Sequence, residues 1–218
     1  MSFKKLHFIK SSPDEMGNQS SSYCKKMVER RTVREFSKES FPIEILYDCI
    51  MSASSAPSGA NKQPWHFVII KDPKVKNKIR EAAEIEEKEF YTRRATKQWL
   101  EDLNQFGTDW NKPFLEDAPY LIVVFSQIFD KKEDGSTTKN YYVSESVGIA
   151  TGFLISALHN AGLVTLTHTP SPMGFLSNIL KRPSNERAFV IIPVGFPDKD
   201  AKVPTIKKKS LKRVCTVI

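Results

Sequence analysis

Val147–Pro170 reads VGIATGFLISALHNAGLVTLTHTP, and the period of its apolar residues changes partway along. Up to Ala161 the residues are small, apolar and uncharged, which predicts a long buried helix over roughly Tyr142 to Ala161. Gly162 stands where a helix closes, because glycine takes the left-handed C-terminal position without steric cost. From Leu163 the segment LVTLTHT alternates, which is the pattern of a strand. A buried helix turning through one glycine into a strand calls for a sheet with helices packed on it.

Working outward, RAFVIIPVGFP (187–197) reads as the next strand, with a short helix over about Gly174–Leu180 before it. Upstream, PYLIVVFSQ (119–127) is a strand bounded by Pro119, and WHFVIIKD (65–72) is a buried strand. KKEDGSTTK (131–139) is polar and hairpin-like. FPIEILYDCIMSAS (41–54) is an amphipathic helix with Pro42 in its first turn and Ile45, Leu46, Cys49 and Ile50 apolar. Val75–Phe106 is helical and rich in charge, and too long to run without a bend. The last stretch, SLKRVCTVI (210–218), alternates and is expected to be a strand that pairs with another subunit. The fold class that follows is α+β, a central, mostly antiparallel sheet flanked by helices. Residues 1–20 are expected as a flexible polar arm, with helix signals from Ser21, and 21–218 as a single domain.

Charged residues make up 27% and hydrophobic ones 40%, which is a globular balance. A net charge of +8 favours anionic ligands and leaves nucleic acid, a phosphorylated cofactor and an acidic surface open. Cys24, Cys49 and Cys215 are few and scattered, so no structural zinc or other metal site is expected, and a reducing, cytoplasmic setting fits. No stretch approaches the roughly 18 apolar residues of a membrane span, so the chain as given is expected to be soluble. An anchor in a longer precursor stays open.

Arg30-Arg31-Thr32-Val33-Arg34 gathers three guanidinium groups whose planar donors suit phosphate; a solvated basic helix end or a DNA contact explains the spacing as well. Pro57-Ser58-Gly59-Ala60-Asn61 removes side-chain bulk, so backbone N–H groups could approach a flat ligand; a plain turn between helix and strand explains it nearly as well. Thr165, Thr167 and Thr169 share one face of their strand, and Thr169 sits at its end before Pro170. His168 points the other way and has no cysteine or carboxylate to work with, which reads as structural. Glu87 and Tyr91 lie four apart on one helical face, and gathered with Lys112 they could clamp a zwitterion; an ordinary charged surface helix explains them as well. No nucleophile–His–Asp arrangement or phosphate loop supports a hydrolase or kinase.

The order RRTVR, PSGANKQPW, HNAGLVTLTHTP and RPSNERAFVIIPVG resembles the nitroreductase-like FMN flavoprotein family. Glu87-x-x-x-Tyr91, Trp99-x-x-Asp102-Leu103 and Trp110-x-Lys112 are similar to its iodotyrosine-dehalogenating branch. The resemblance runs from Val28 to the C-terminus. It implies a homodimer with FMN at the subunit interface and the C-terminal segment exchanged between subunits. It further implies that Arg30, Arg31, Thr32, Val33 and Arg34 hold the phosphate and ribityl chain, with Lys208 nearby. Pro57, Ser58 and Gly59 would meet the flavin ring from the opposite subunit, and Thr167, His168 and Thr169 would line its other edge. Thr169 would donate to flavin N5, and the main chain of His168 would serve where the pattern has threonine. Glu87, Tyr91 and Lys112 would close over the amino-acid part of a halotyrosine, with the Ala60 N–H on its phenolate. The expected reaction is FMN-dependent reductive dehalogenation of mono- and diiodotyrosine, with an unidentified electron donor or reductase. The alternative within the same fold is an NAD(P)H-dependent nitroreductase or quinone reductase; the alternative outside it is a basic nucleic-acid-binding module.

Overall fold

The computed structural model describes residues 2–218, and the chain divides into two units, one ending at Arg30 and one running Arg31–Ile218. The first unit is the helix α1 (Pro13–Glu29), which begins eight residues before Ser21. The reason is a capping box in the polar stretch SSPDE. The Ser12 hydroxyl accepts from Glu15 N–H, the Glu15 carboxylate accepts from Ser12 N–H at 2.8 Å, and Pro13 opens the first turn.

In the second unit the elements run α2 (Glu44–Ser54), β1 (Trp65–Ile70), α3 (Pro73–Glu89), α4 (Lys97–Asn104) and α5 (Phe114–Asp117). There follow β2 (Tyr120–Gln127), β3 (Phe129–Lys131), β4 (Thr137–Lys139), α6 (Val143–Asn160), β5 (Val164–Thr165), α7 (Gly174–Ile179), β6 (Glu186–Gly195) and α8 (Leu211–Val214). The main sheet has the order β1-β2-β6-β5, with every pair antiparallel, and β3–β4 form the expected separate hairpin.

Alternation along β2 and β6 feeds two cores. Ile122, Val124, Ile192 and Val194 face Leu46, Cys49 and Ala53 of α2 and Ala150, Leu154 and Leu158 of α6. Leu121, Val123, Phe125 and Ile191 face the other way, onto Ile79 and Ala83 of α3, Leu115 and Leu176. Helices therefore cover both sides of the sheet. The α6 helix ends as expected, with Gly162 at φ +85°.

Three elements depart from expectation. WHFVII is an edge strand, only partly buried along its middle, because β2 is its one neighbour. LVTLTHT pairs as a strand only at Val164–Thr165, with one further bridge between His168 and Ile191. The C-terminal stretch turns as the short helix α8 rather than a strand, and every residue from Leu211 to Ile218 is exposed. Alternation specifies a strand only where a neighbouring strand supplies partners, and among the described residues none pairs with that tail. No helix among the described residues is long and apolar enough to cross a membrane.

Glu186, 1% exposed at the start of β6, holds the end of the sheet in place. Burial pushes its carboxyl up, but the hydrogen bonds from Arg182 (2.6 and 3.0 Å) and Gln127 (3.1 Å) outweigh this and keep it below the usual carboxylate range. A depressed folded value means that the stabilisation is present above the unfolded carboxylate range and is lost as pH falls through the folded value. Replacing Arg182 with Met strands a buried charge and is expected to cost about 3–5 kcal/mol at pH 7, read from urea unfolding. Protein loss below 1 kcal/mol would contradict this assignment of the pair.

Candidate active site

The second unit carries a cleft of about 540 Å³ walled by Arg34, Glu87, Tyr91, Lys112 and Thr167–Thr169, with aromatic and aliphatic side chains between them. Its size and mixed lining are those of a small-molecule site. A larger depression of about 740 Å³ lies between Lys38, Lys74, Lys78 and Glu116, but none of the sequence-predicted residues lines it.

Arg34 reaches the cleft because the strand-like run 32–37 is laced to the sheet. Val33 N–H donates to Thr165 O (3.1 Å), Ser37 N–H to Phe196 O (3.0 Å) and Asp198 N–H to Glu35 O (3.0 Å). Val33 is itself buried, so it anchors the run and does not line the cleft. Arg34 is half-buried and makes no ion pair among the described residues. Burial lowers its guanidinium from the ordinary value, opposed by the Tyr91 phenol. Arg31 donates to Pro204 O, and Thr32 is bridged through its backbone to Thr165. Arg30 caps α1 and belongs to the first unit.

The opposite wall comes from α3 and the segment after it. A π-helical turn, Phe90–Arg94, follows α3, and the helical run breaks at Ala95 before α4 begins, which is the expected bend. Phe90 packs edge-on against Tyr91 (5.5 Å) and Trp99 (4.9 Å), tying the two helices together. Lys112 is 3% exposed, yet its ammonium is fully partnered. It pairs with Glu87 Oε2 at 3.0 Å, donates to Thr108 Oγ1 at 3.4 Å and to Asp109 O, and lies 5.3 Å from the Tyr91 ring centre. Its main-chain N–H donates to Glu84 Oε1 (2.8 Å), and Arg80 holds that carboxylate at 2.7 Å. The Tyr91 hydroxyl donates to Thr108 O at 3.2 Å; burial pushes its phenol up, and Glu87 adds to this.

Thr167 and Thr169 are exposed at the strand end beside the cleft. His168, between them, faces inward with Leu166. Both of its main-chain groups pair with Ile191 at 2.9 Å, which takes its N–H and leaves the second lone pair of its carbonyl for a ligand. Its imidazole is 7% exposed, packs edge-on against Phe114 at 5.3 Å and leaves Nε2 without a partner. Burial, with the charges of Lys112 and Arg34 adding, lowers its pKa to about 3.

The 57–61 loop lies outside this cleft. Ser58 Oγ accepts from Gln63 N–H (2.9 Å), and Ala60 and Asn61 both take positive φ. A Cβ on Gly59 would meet Tyr142 Cδ2 at 2.9 Å and Tyr141 O at 3.1 Å, so the protein's own chain requires glycine there. Lys208 is exposed and also lies away from the cleft. Trp99, Leu103, Phe114 and Phe189 line the cleft without having been singled out as site residues. For Trp99 and Leu103 the legible sign was the motif Trp99-x-x-Asp102-Leu103, whose four-residue spacing puts both on one helical face.

His168 makes a stability prediction. Its folded pKa of about 3 lies below the ordinary 6.5, so between these values the unfolded chain binds a proton that the fold refuses. Stability should fall on acidification through this window by up to about 1.4 kcal/mol per pH unit from this group. Urea unfolding at pH 7, 6 and 5 should give a shallower dependence for His168→Phe than for the native chain. Equal slopes would contradict a neutral buried imidazole.

Residues 27–196 match the model of the Nitroreductase family. The chain is 58% identical to the iodotyrosine deiodinase of Haliscomenobacter hydrossis over 94% of this chain and 92% of that one. It is 43% identical to iodotyrosine deiodinase 1 of Mus musculus over 94% of this chain and 72% of that one. Among solved structures it is similar to an oxidised iodotyrosine deiodinase bound to FMN and 3-iodo-L-tyrosine, with a TM-score of 0.76 and 36% identity over 89% of this chain and 100% of that chain. The chain belongs to the nitroreductase family, in its iodotyrosine deiodinase branch.

Proposed function

We propose that this chain binds FMN and removes halogen reductively from mono- and diiodotyrosine and other halotyrosines, releasing tyrosine and halide. The observation that carries the reading is one wall of the cleft: Glu87, Tyr91 and Lys112 meet there as an anion, a phenol and a cation in mutual contact. The deiodinase of similar fold binds FMN and 3-iodo-L-tyrosine.

The residues present fit a flavin phosphate and ring edge. Among the described residues Arg34 pairs with no carboxylate, Arg31 and Thr32 sit beside it on the same laced segment, and the exposed Thr167 and Thr169 stand at the strand end. FMN supplies the two electrons that replacing a carbon–halogen bond by carbon–hydrogen requires, which no side chain can. In this reading Thr169 is the donor to flavin N5.

The clamp selects its substrate by charge exchange. Glu87 and Lys112 neutralise each other at 3.0 Å, with Lys112 almost wholly buried. A zwitterion brings both charges, so its ammonium takes Glu87 and its carboxylate takes Lys112 and Tyr91. One pair becomes two and no buried charge is left alone. A halophenol without the zwitterion cannot make that exchange. Closure of α4 and its aromatic contacts over the ligand excludes water from the site.

The loop Pro57–Ala60 completes the site from a second copy of the chain, with the Ala60 N–H on the substrate phenolate. Support comes from its absence from the cleft of its own chain and from α6, an apolar helix that leaves Ile149 and Phe153 more than two-fifths exposed. Gly148 and Gly152 on the same helix have open space beside them. The exposed C-terminal segment is the part exchanged. The electron donor is a separate reductase or reduced nicotinamide source.

Purified protein should be yellow, and light scattering should give twice the mass of the chain. Dithionite-reduced protein mixed anaerobically with diiodotyrosine should reoxidise its flavin and release tyrosine and iodide. Nitroaromatic reduction without iodotyrosine turnover would favour the general nitroreductase instead. Glu87→Gln should weaken iodotyrosine binding by roughly tenfold or more while FMN stays bound. Equal affinity of the native protein for iodophenol and iodotyrosine would sink the clamp.

A further inference from the structure

Among the described residues two buried side-chain polar atoms lack a partner, Asn140 Oδ1 and His168 Nε2. The first belongs to an amide whose nitrogen already ties the β3–β4 hairpin to β2, through Gln127 O and Asp130 Oδ1 at 2.9 Å each. The second belongs to His168, a residue that lines the cleft. A native fold leaves such an atom bare only where something else completes it.

With its main-chain N–H given to Ile191, the donor that His168 can offer a ligand is on its ring. Phe114 packs edge-on against that ring at 5.3 Å. Burial keeps the ring neutral, and the charges of Lys112 and Arg34 add to this, so it sits uncharged in a positive surround. A neutral imidazole carries one N–H, and in such a surround the group that Nε2–H best meets is an anionic oxygen. It adds a donor there without adding a third buried cation.

We infer that His168 is a specificity-determining contact whose Nε2–H donates to the carboxylate of the bound amino acid beside Lys112. This rests on the halotyrosine reading above. Lys112 attracts the carboxylate as a point charge, and His168 adds a second, directed donor on a ring that cannot swing away. The imidazole thereby distinguishes an amino acid from the corresponding amine, a distinction that Glu87, which binds the ammonium common to both, cannot make.

The test uses FMN-loaded protein and measures binding of 3-iodotyrosine and of 3-iodotyramine, which lacks the carboxylate, by flavin fluorescence and by calorimetry. His168→Phe keeps the ring and removes the donor; it should weaken iodotyrosine about tenfold and leave iodotyramine unchanged. His168→Gln, whose amide reaches the position of Nε2, should recover iodotyrosine affinity to within about threefold of native. Should His168→Phe not fold, His168→Asn, which keeps a donor but falls short, should show the same selective loss. The inference is overturned if the two ligands weaken together or if neither changes. A native protein that binds no iodotyrosine overturns the substrate reading as well, whereas intact native binding with no selective loss overturns only the role of His168.

Discussion

The pairing of β6 with the stretch Val164–His168 is the constraint on which the cleft depends. Val164 and Thr165 sit opposite Gly195 and Val194, and His168 exchanges both main-chain hydrogen bonds with Ile191. Thr165 O then receives Val33 N–H, which hangs the arginine segment on the same edge. One row of backbone hydrogen bonds therefore places Arg34, Thr167, His168 and Thr169 around one space. Because the side-chain period of a strand is two, a slip of one residue would turn His168 outward and the threonines into the core.

The other wall is set by charge rather than by backbone pairing. Lys112 tolerates near-complete burial because three acceptors surround its ammonium, and its main chain is held to α3 through Glu84 and Arg80. In the proposed clamp the same burial would make the arrangement selective. An ion pair removed from water is stable only while every charge keeps a partner, so a ligand with both charges in the right order is the one that would enter the exchange. Apolar packing by Phe90, Trp99 and Phe114 keeps the local dielectric low, which strengthens the pair and keeps the imidazole of His168 neutral.

Much of this was legible in the chain alone. Long, strongly patterned elements such as PYLIVVFSQ, RAFVIIPVGFP and the uncharged helix ending at Gly162 identify themselves, because burial on a sheet demands those patterns. The capping box at Ser12–Glu15 was equally present in the sequence but sat inside a stretch whose polarity read as an arm. SLKRVCTVI alternates as a strand would, yet turns as a helix, since alternation is only half of a strand and the partner is the other half.

For the site, residue type and spacing offered the candidates, three arginines, alternating threonines, and a Glu–Tyr pair one helical turn apart with a lysine further on, and the family resemblance chose among their readings. Short-range spacing offers that much because neighbours four apart on a helix or two apart on a strand share a face wherever the element goes, but it does not join Lys112 to the pair. Only the tertiary structure decided that Glu87 and Lys112 touch, that Val33 is an anchor, that Gly59 lies against Tyr142, and that His168 gives its N–H to Ile191 and leaves Nε2 without a partner. Those facts depend on which strand lies beside which and on what each packing contact excludes from water, and neither is encoded in the spacing of residues along the chain.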